Sequence, residues 1–131
     1  MTAMLLRRTP APPLGAVVEC LWANERDALP HPRERNLPSG HADLIIALRQ
    51  EYLGRYADAA DHVGWRLRGV VFQGPHERHF LRSTSTPSSV VGVHFRAGGA
   101  VVFAGVPLAE LVDRSVAAGD LWGRAAQDLR E

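Results

Sequence analysis

Lysine is missing from this chain of 131 residues: all fifteen basic side chains are arginines, set against fourteen acidic ones for a formal charge of +1. Near-neutrality excludes a polyelectrolyte that binds nucleic acid by bulk charge, because that needs a clustered basic excess. It equally excludes an acidic disordered tail, which combines high net charge with few apolar residues; here 46% are hydrophobic. Arginine-only usage is what a coding sequence rich in G and C produces, and it is not read as function.

Cysteine is almost absent too. A lone Cys20 cannot close an internal disulfide or supply a Cys/His zinc spacing, which points to a reducing, cytoplasmic setting. No apolar run approaches a membrane span, since Leu44-Ile45-Ile46-Ala47-Leu48 stops after five residues. Arg7-Arg8 is followed by Thr9-Pro10-Ala11-Pro12-Pro13, not by the apolar stretch of a twin-arginine export signal. A Gly-x-Ser-x-Gly elbow, a phosphate loop and a dinucleotide fingerprint are all lacking. With no nucleophile–base–acid set in view, the expectation is a non-enzyme without a cofactor.

What is present reads as one domain, residues 1–131, because this length holds one core and not two. Leu14 to Trp22 reads as a short helix passing into a strand, and Asn24 to Asn36, with Pro30 and Pro32, as a loop. Pro38-Ser39-Gly40 supplies turn chemistry ahead of a buried strand from Asp43. Asp43 is expected to hold the amides of that turn. Glu51 to Tyr56 is predicted to pair with the preceding strand through a tight link at Arg49-Gln50. Trp65 to Gln73 alternates as a single strand, and Arg78 to Thr84 and Ser89 to Arg96 follow as further strands. Gly98-Gly99 reads as a tight corner, after which the pattern turns helical. Leu121, Trp122, Ala125, Ala126 and Leu129 form one apolar stripe behind a cap at Gly119-Asp120.

Three stretches carry a resemblance. Leu37-Pro38-Ser39-Gly40-His41-Ala42-Asp43-Leu44-Ile45, Val91-Gly92-Val93-His94-Phe95-Arg96-Ala97-Gly98-Gly99-Ala100, and Gly105-Val106-Pro107 leading into Asp120-Leu121-Trp122-Gly123 resemble, in order, motifs of the sensor domains of AraC-type transcription regulators. The opening Val17-Val18-Glu19-Cys20-Leu21-Trp22 is similar to the start of the same group. The resemblance implies a mainly β, α+β fold: a cupin-like, jelly-roll β-barrel over about residues 15–97, followed by two or three short helices over about 98–131. It implies a cytoplasmic, non-catalytic domain that senses a small-molecule effector, forms a homodimer, and reaches DNA only through a helix-turn-helix domain. The nine residues after Trp122 are too few for such a domain.

Within that frame the candidate ligand-binding residues are Trp22, Trp65, Phe72, His79, His94 and Arg96. Pro38, Gly40, Asp43, Gly98, Gly99 and Trp122 are motif residues with structural roles. Trp22, Trp65, Tyr52, Tyr56, Phe72 and Phe95 either line a pocket or form plain core. Arg66 and Arg68 share a strand face and, with Arg96, either clamp an anion inside the barrel or lie on a solvated outer face. His76-Glu77-Arg78-His79 with His94 raises the alternative of a stand-alone, metal-dependent cupin-like enzyme using His79 and His94. Against it, the strand period sends His76 and His79 to opposite faces, so no metal is assigned.

Overall fold

The computed structural model describes residues 3–130. Among the described residues, ten strands form two antiparallel sheets. In chain order they are β1 (Ala3–Arg8), β2 (Val18–Arg26), β3 (Arg33–Asn36), β4 (Asp43–Ala47), β5 (Tyr52–Tyr56), β6 (Trp65–Arg68), β7 (Val70–Gln73), β8 (Phe80–Ser83), β9 (Ser88–Phe95) and β10 (Ser115–Ala117). Three short helices follow the long strands: α1 (Val101–Ala104), α2 (Gly119–Trp122) and α3 (Arg124–Asp128). The larger sheet runs β1-β2-β9-β4-β7-β10 and the smaller β3-β8-β5-β6. The fold is thus mainly β with short C-terminal helices, as expected, with its strands in two sheets and not in one closed barrel.

Strand alternation gives the larger sheet two distinct faces. Leu44 and Ile46 of β4, Val70 and Phe72 of β7, and Phe95 of β9 point backward into the hydrophobic core. Ala104, Leu111, Ala118 and Ala126 cover that face from the C-terminal segment, with Trp122 set edge-on against Phe72 at 6.1 Å. The main core therefore lies between the large sheet and the helices. The forward face carries Trp22, Ile45 and Val90, which look across a cavity toward β5 and β6 of the smaller sheet.

Several local expectations are corrected here. The stretch from Trp65 to Gln73 is two strands, because Gly69 takes φ +66° and turns the chain from the small sheet into the large one. β5 pairs with β6 and β8, while β4 pairs with β7 and β9, so the tight link at Arg49-Gln50 joins two sheets and makes no hairpin. The supposed loop from Asn24 to Asn36 contains the end of β2 and all of β3. The division at residue 97 does not hold for the sheet either: β1 precedes the expected barrel and β10 comes after it. The terminal stripe breaks at Gly123 (φ +59°) into two helices, and of its residues only Ala126 is buried. Ala118, not Gly119-Asp120, stands at the N-cap of α2.

The end of the described chain is tied to the end of β4 and the link that follows it. Arg130 donates through Nε to the Ala47 carbonyl (2.9 Å) and through Nη2 to that of Gln50 (3.3 Å). Gln50 also lines the inter-sheet cavity.

Candidate functional site

Two polar features occupy the forward face of the large sheet. The first is a cluster built on one cross-strand row. Register places Cys20 of β2 opposite His94 of β9, His94 opposite Asp43 of β4, and Asp43 opposite Gln73 of β7. Side chains in such a row stand within about 5 Å of their neighbours at Cβ. His94 Nδ1 meets Asp43 Oδ1 at 2.9 Å, and its Nε2 lies 3.2 Å from Glu19 Oε2.

Glu19 reaches this row because β2 is irregular. Val18 faces Phe95 and Cys20 faces His94, which leaves Glu19 as an extra residue at a bulge. An even alternation would set Glu19 and Cys20 on opposite faces. His41, two residues before Asp43, completes the group: its ring stacks on His94 at 4.9 Å, and its Nδ1 bonds the Phe95 carbonyl at 2.8 Å. Glu19, His41 and His94 each offer one ligand atom, all within 4.8 Å of one another.

The electrostatics of the row centre on Asp43. Burial pushes its carboxyl up from the ordinary aspartate value, while the hydrogen bond and charge of His94 and a hydrogen bond from the Trp22 indole pull the other way. His94 has a carboxylate oxygen at each ring nitrogen. A neutral imidazole donates to one of them only.

The second feature is the inter-sheet cavity, of about 540 Å³. Trp22 and Ile45 form its floor, Tyr52, Gly54 and Trp65 part of its opposite wall, and Arg55 and Arg82 its polar end. Gly92 has no side chain because the Trp22 indole lies directly against its backbone; any Cβ there would strike the ring. Trp22 also borders an open groove of about 600 Å³ that contains Glu19, Asp43 and His94. The two features therefore meet at one tryptophan.

The sequence-derived candidates divide accordingly. Trp22 and Trp65 line the cavity and His94 lies in the polar row. Phe72 does not: it is fully buried in the core behind the sheet, because the break at Gly69 resets its face relative to Trp65. His79 is exposed in the link before β8 and takes no part in the group around His94. His76 is buried in a turn, its Nδ1 2.7 Å from the Gly74 carbonyl. Arg96 is exposed and donates to the Gly15 carbonyl at 2.8 Å, tying β9 to the turn before β2. Arg66 and Arg68 are exposed and lie over the Tyr52 ring, with Arg66 at the cavity rim.

Among the motif residues, Asp43 serves His94 and Trp22, not the preceding turn. The turn is held instead by Ser39, whose Oγ accepts from the His41 amide and whose carbonyl accepts from the His76 amide. Pro38 precedes it, and Gly40 stays outside the left-handed region. Gly98 (φ +75°) and Gly99 turn the chain from β9 into α1, and the Trp122 indole donates to the Phe103 carbonyl, joining α2 to α1. Glu19, His41 and Arg55 were not singled out from sequence. His41-Ala42-Asp43 carried a usable signal, since His-x-Asp entering a strand sets imidazole and carboxylate on one side.

Fold and site together define a two-sheet antiparallel β domain with a lined internal cavity and short helices packed behind its larger sheet. The chain belongs to the family described as Domain of unknown function (DUF6597), whose model matches residues 6–117, from β1 to the end of β10. No curated protein and no solved structure matches the chain.

Proposed function

We propose that this domain is the effector-binding and dimerisation part of an AraC-type transcription regulator: a cytoplasmic, non-catalytic sensor that takes a small molecule between its sheets. The observation that carries the reading is the inter-sheet cavity. Its volume falls in the range of small-molecule sites, and it combines aromatic walls with a few convergent polar groups. The ordered resemblance of the motifs adds the regulator class. A ligand acts on such a protein only by favouring one of two arrangements. Arg130, bonded to the link that carries Gln50, offers a mechanical connection from the cavity to the last helix. Self-association is supported by β1, an edge strand bearing exposed Leu5 and Leu6. No helix among the described residues is long and apolar enough to cross a membrane.

The test is a thermal-shift screen of small metabolites with tryptophan fluorescence as a second readout. A compound that stabilises the wild type but not Val90→Phe, which fills the cavity, supports the reading. Stabilisers that act equally on both proteins overturn it. Sedimentation velocity checks the dimer, and a lone monomer at micromolar concentration removes that part.

A second reading has its own observation. Two imidazoles and a carboxylate within 4.8 Å form a donor set suited to iron, nickel or zinc. The Asp43 contact to His94 Nδ1 is the kind of outer hydrogen bond that orients a ligating histidine. A metal-dependent cupin-like enzyme built on this chain would therefore use Glu19, His41 and His94, with no part for His79. Stoichiometric metal that is lost in His94→Ala and kept in His79→Ala supports it. Metal-free protein after purification and zinc titration refutes it.

A further inference from the structure

Arg55 is the most deeply buried charge in the cavity wall, at 5% exposure. It stands directly opposite Arg82 in the β5–β8 pairing. Like charges placed so oppose each other, and a buried guanidinium without a counter-charge is costly. Among the described residues, the hydrogen-bond partner of Arg55 is the carbonyl of its own neighbour Gly54, at 3.1 Å, with the Phe80 ring 5.4 Å from its guanidinium carbon. The Nε groups of both Arg55 and Arg82 are buried with no acceptor. Glu34 is already engaged, accepting from Arg82 at 3.2 Å and lying 3.6 Å from His31.

The cavity lining repeats this imbalance. Arg26, Arg55, Arg66 and Arg82 all contribute to it, and no aspartate or glutamate does among the described residues. Burial, and then the charge of Arg82, push the Arg55 guanidinium down to about 10. Burial likewise lowers Arg26, with Arg82 adding to the effect and Glu34 opposing it. Arg55 thus carries its charge under poor solvation and beside a second guanidinium, and leaves the balancing anion to come from outside. Planar rings stand beside the charges: Trp22 on the floor, and Trp65, paired opposite Arg55, on the wall.

We infer that the inter-sheet cavity binds a small organic anion, its carboxylate or phosphate group bridging Arg55 and Arg82 and its flat apolar body lying against Trp22 and Trp65. This rests on the sensor reading and names the ligand class for it. Two guanidiniums sharing one oxyanion convert unsatisfied N–H groups into charge-assisted hydrogen bonds. The same contact removes the repulsion across β5 and β8.

The experiment compares benzoate, indole-3-acetate and phenyl phosphate with benzamide and indole-3-acetamide on the wild-type chain at fixed ionic strength. Thermal shift and calorimetric titration are the readouts. At least one anion is expected to raise Tm while its amide does not, the carboxylate and phosphate arms deciding the head group. Arg55→Met is expected to weaken that anion about tenfold or more, which corresponds to loss of a charged contact. The same variant without ligand should melt no lower than the wild type, because it removes an uncompensated buried charge. Arg55→Lys keeps charge without the fork and should bind at an intermediate level. Amides that stabilise as well as the acids overturn the anion inference and leave the cavity reading standing. If neither acids nor amides bind, both fall. A ligand-free Arg55→Met that melts well below the wild type, or Arg55→Lys and wild type binding anion alike, shows that Arg55 serves the fold and overturns the inference.

Discussion

At the residue scale, some polar side chains hold backbone far from the cavity. Asp113 is the clearest case. It is a non-glycine at φ +57°, and its Oδ1 accepts from the amides of Glu77 (2.8 Å) and Arg78 (2.9 Å). The Arg78 amide above all, then the Glu77 amide and the nearby charges of His76 and Arg78, outweigh desolvation and hold its carboxyl below the ordinary aspartate value. A carboxyl depressed in the folded state adds stability above its unfolded pKa, and that stability is lost as pH falls through the folded value. Asp113→Asn keeps an acceptor oxygen and tolerates the left-handed backbone, so near pH 7 its Tm should fall only slightly. Its melting should also depend less on pH below about 4, the ordinary aspartate range. Asp113→Ala loses acceptor and backbone preference together and should melt several degrees lower; melts from pH 3 to 7 check both. Asp113 was not visible as special in sequence, because its two donors lie more than thirty positions away. His94 was visible as a candidate, but its partner Glu19 was not: a bulge comes from pairing between distant strands and leaves no period to read.

At the element scale, glycine decides where strands end. The alternation from Trp65 to Gln73 is real on both sides of Gly69, yet each half joins a different sheet. Gly69 is fixed at that corner from both sides, its carbonyl accepting from Ala47 at 2.8 Å and its amide donating to Glu51 at 2.9 Å. An alanine there meets the left-handed penalty of roughly 1–2 kcal/mol. Its Cβ would also press on the Arg130 side chain at 3.0 Å. Gly69→Ala should therefore lower the unfolding free energy by about that amount, which moves the urea midpoint down with the slope unchanged. A midpoint equal to the wild type would show that the corner relaxes. Most strands were legible from apolar runs and turn residues. Their partners were not, because pairing depends on which corner each chain segment turns. The pairing of β5 with β8 instead of β4 is the example.

At the scale of the whole molecule, the core and the cavity lie on opposite sides of one sheet. Phe72 is fully buried between that sheet and the C-terminal segment. Phe72→Ala should cost about 3–5 kcal/mol in chemical denaturation, the usual range for removing a buried phenylalanine. The milder Phe72→Leu should lower stability less and leave binding in the cavity unchanged. A changed ligand affinity in folded Phe72→Leu would show that the two faces are coupled more tightly than their separation suggests. The mainly β fold with terminal helices could be read from composition and order. The placement of the core behind the sheet could not, since the alternation from Trp65 through Phe72 runs unbroken in the sequence.

The two-faced alternation of the large sheet has a consequence for descent with change. Odd and even positions of β4 answer to different demands: Leu44 and Ile46 lie in the core, while Asp43 and Ile45 line the groove and the cavity in front. A substitution at a forward position alters chemistry without opening a hole in the core, and a backward one does the reverse. If the domain binds a ligand as proposed, its forward positions can accordingly change at little risk to the scaffold. In an alignment, forward positions should vary between groups that share a ligand and stay constant within each, while backward positions vary only in apolar kind.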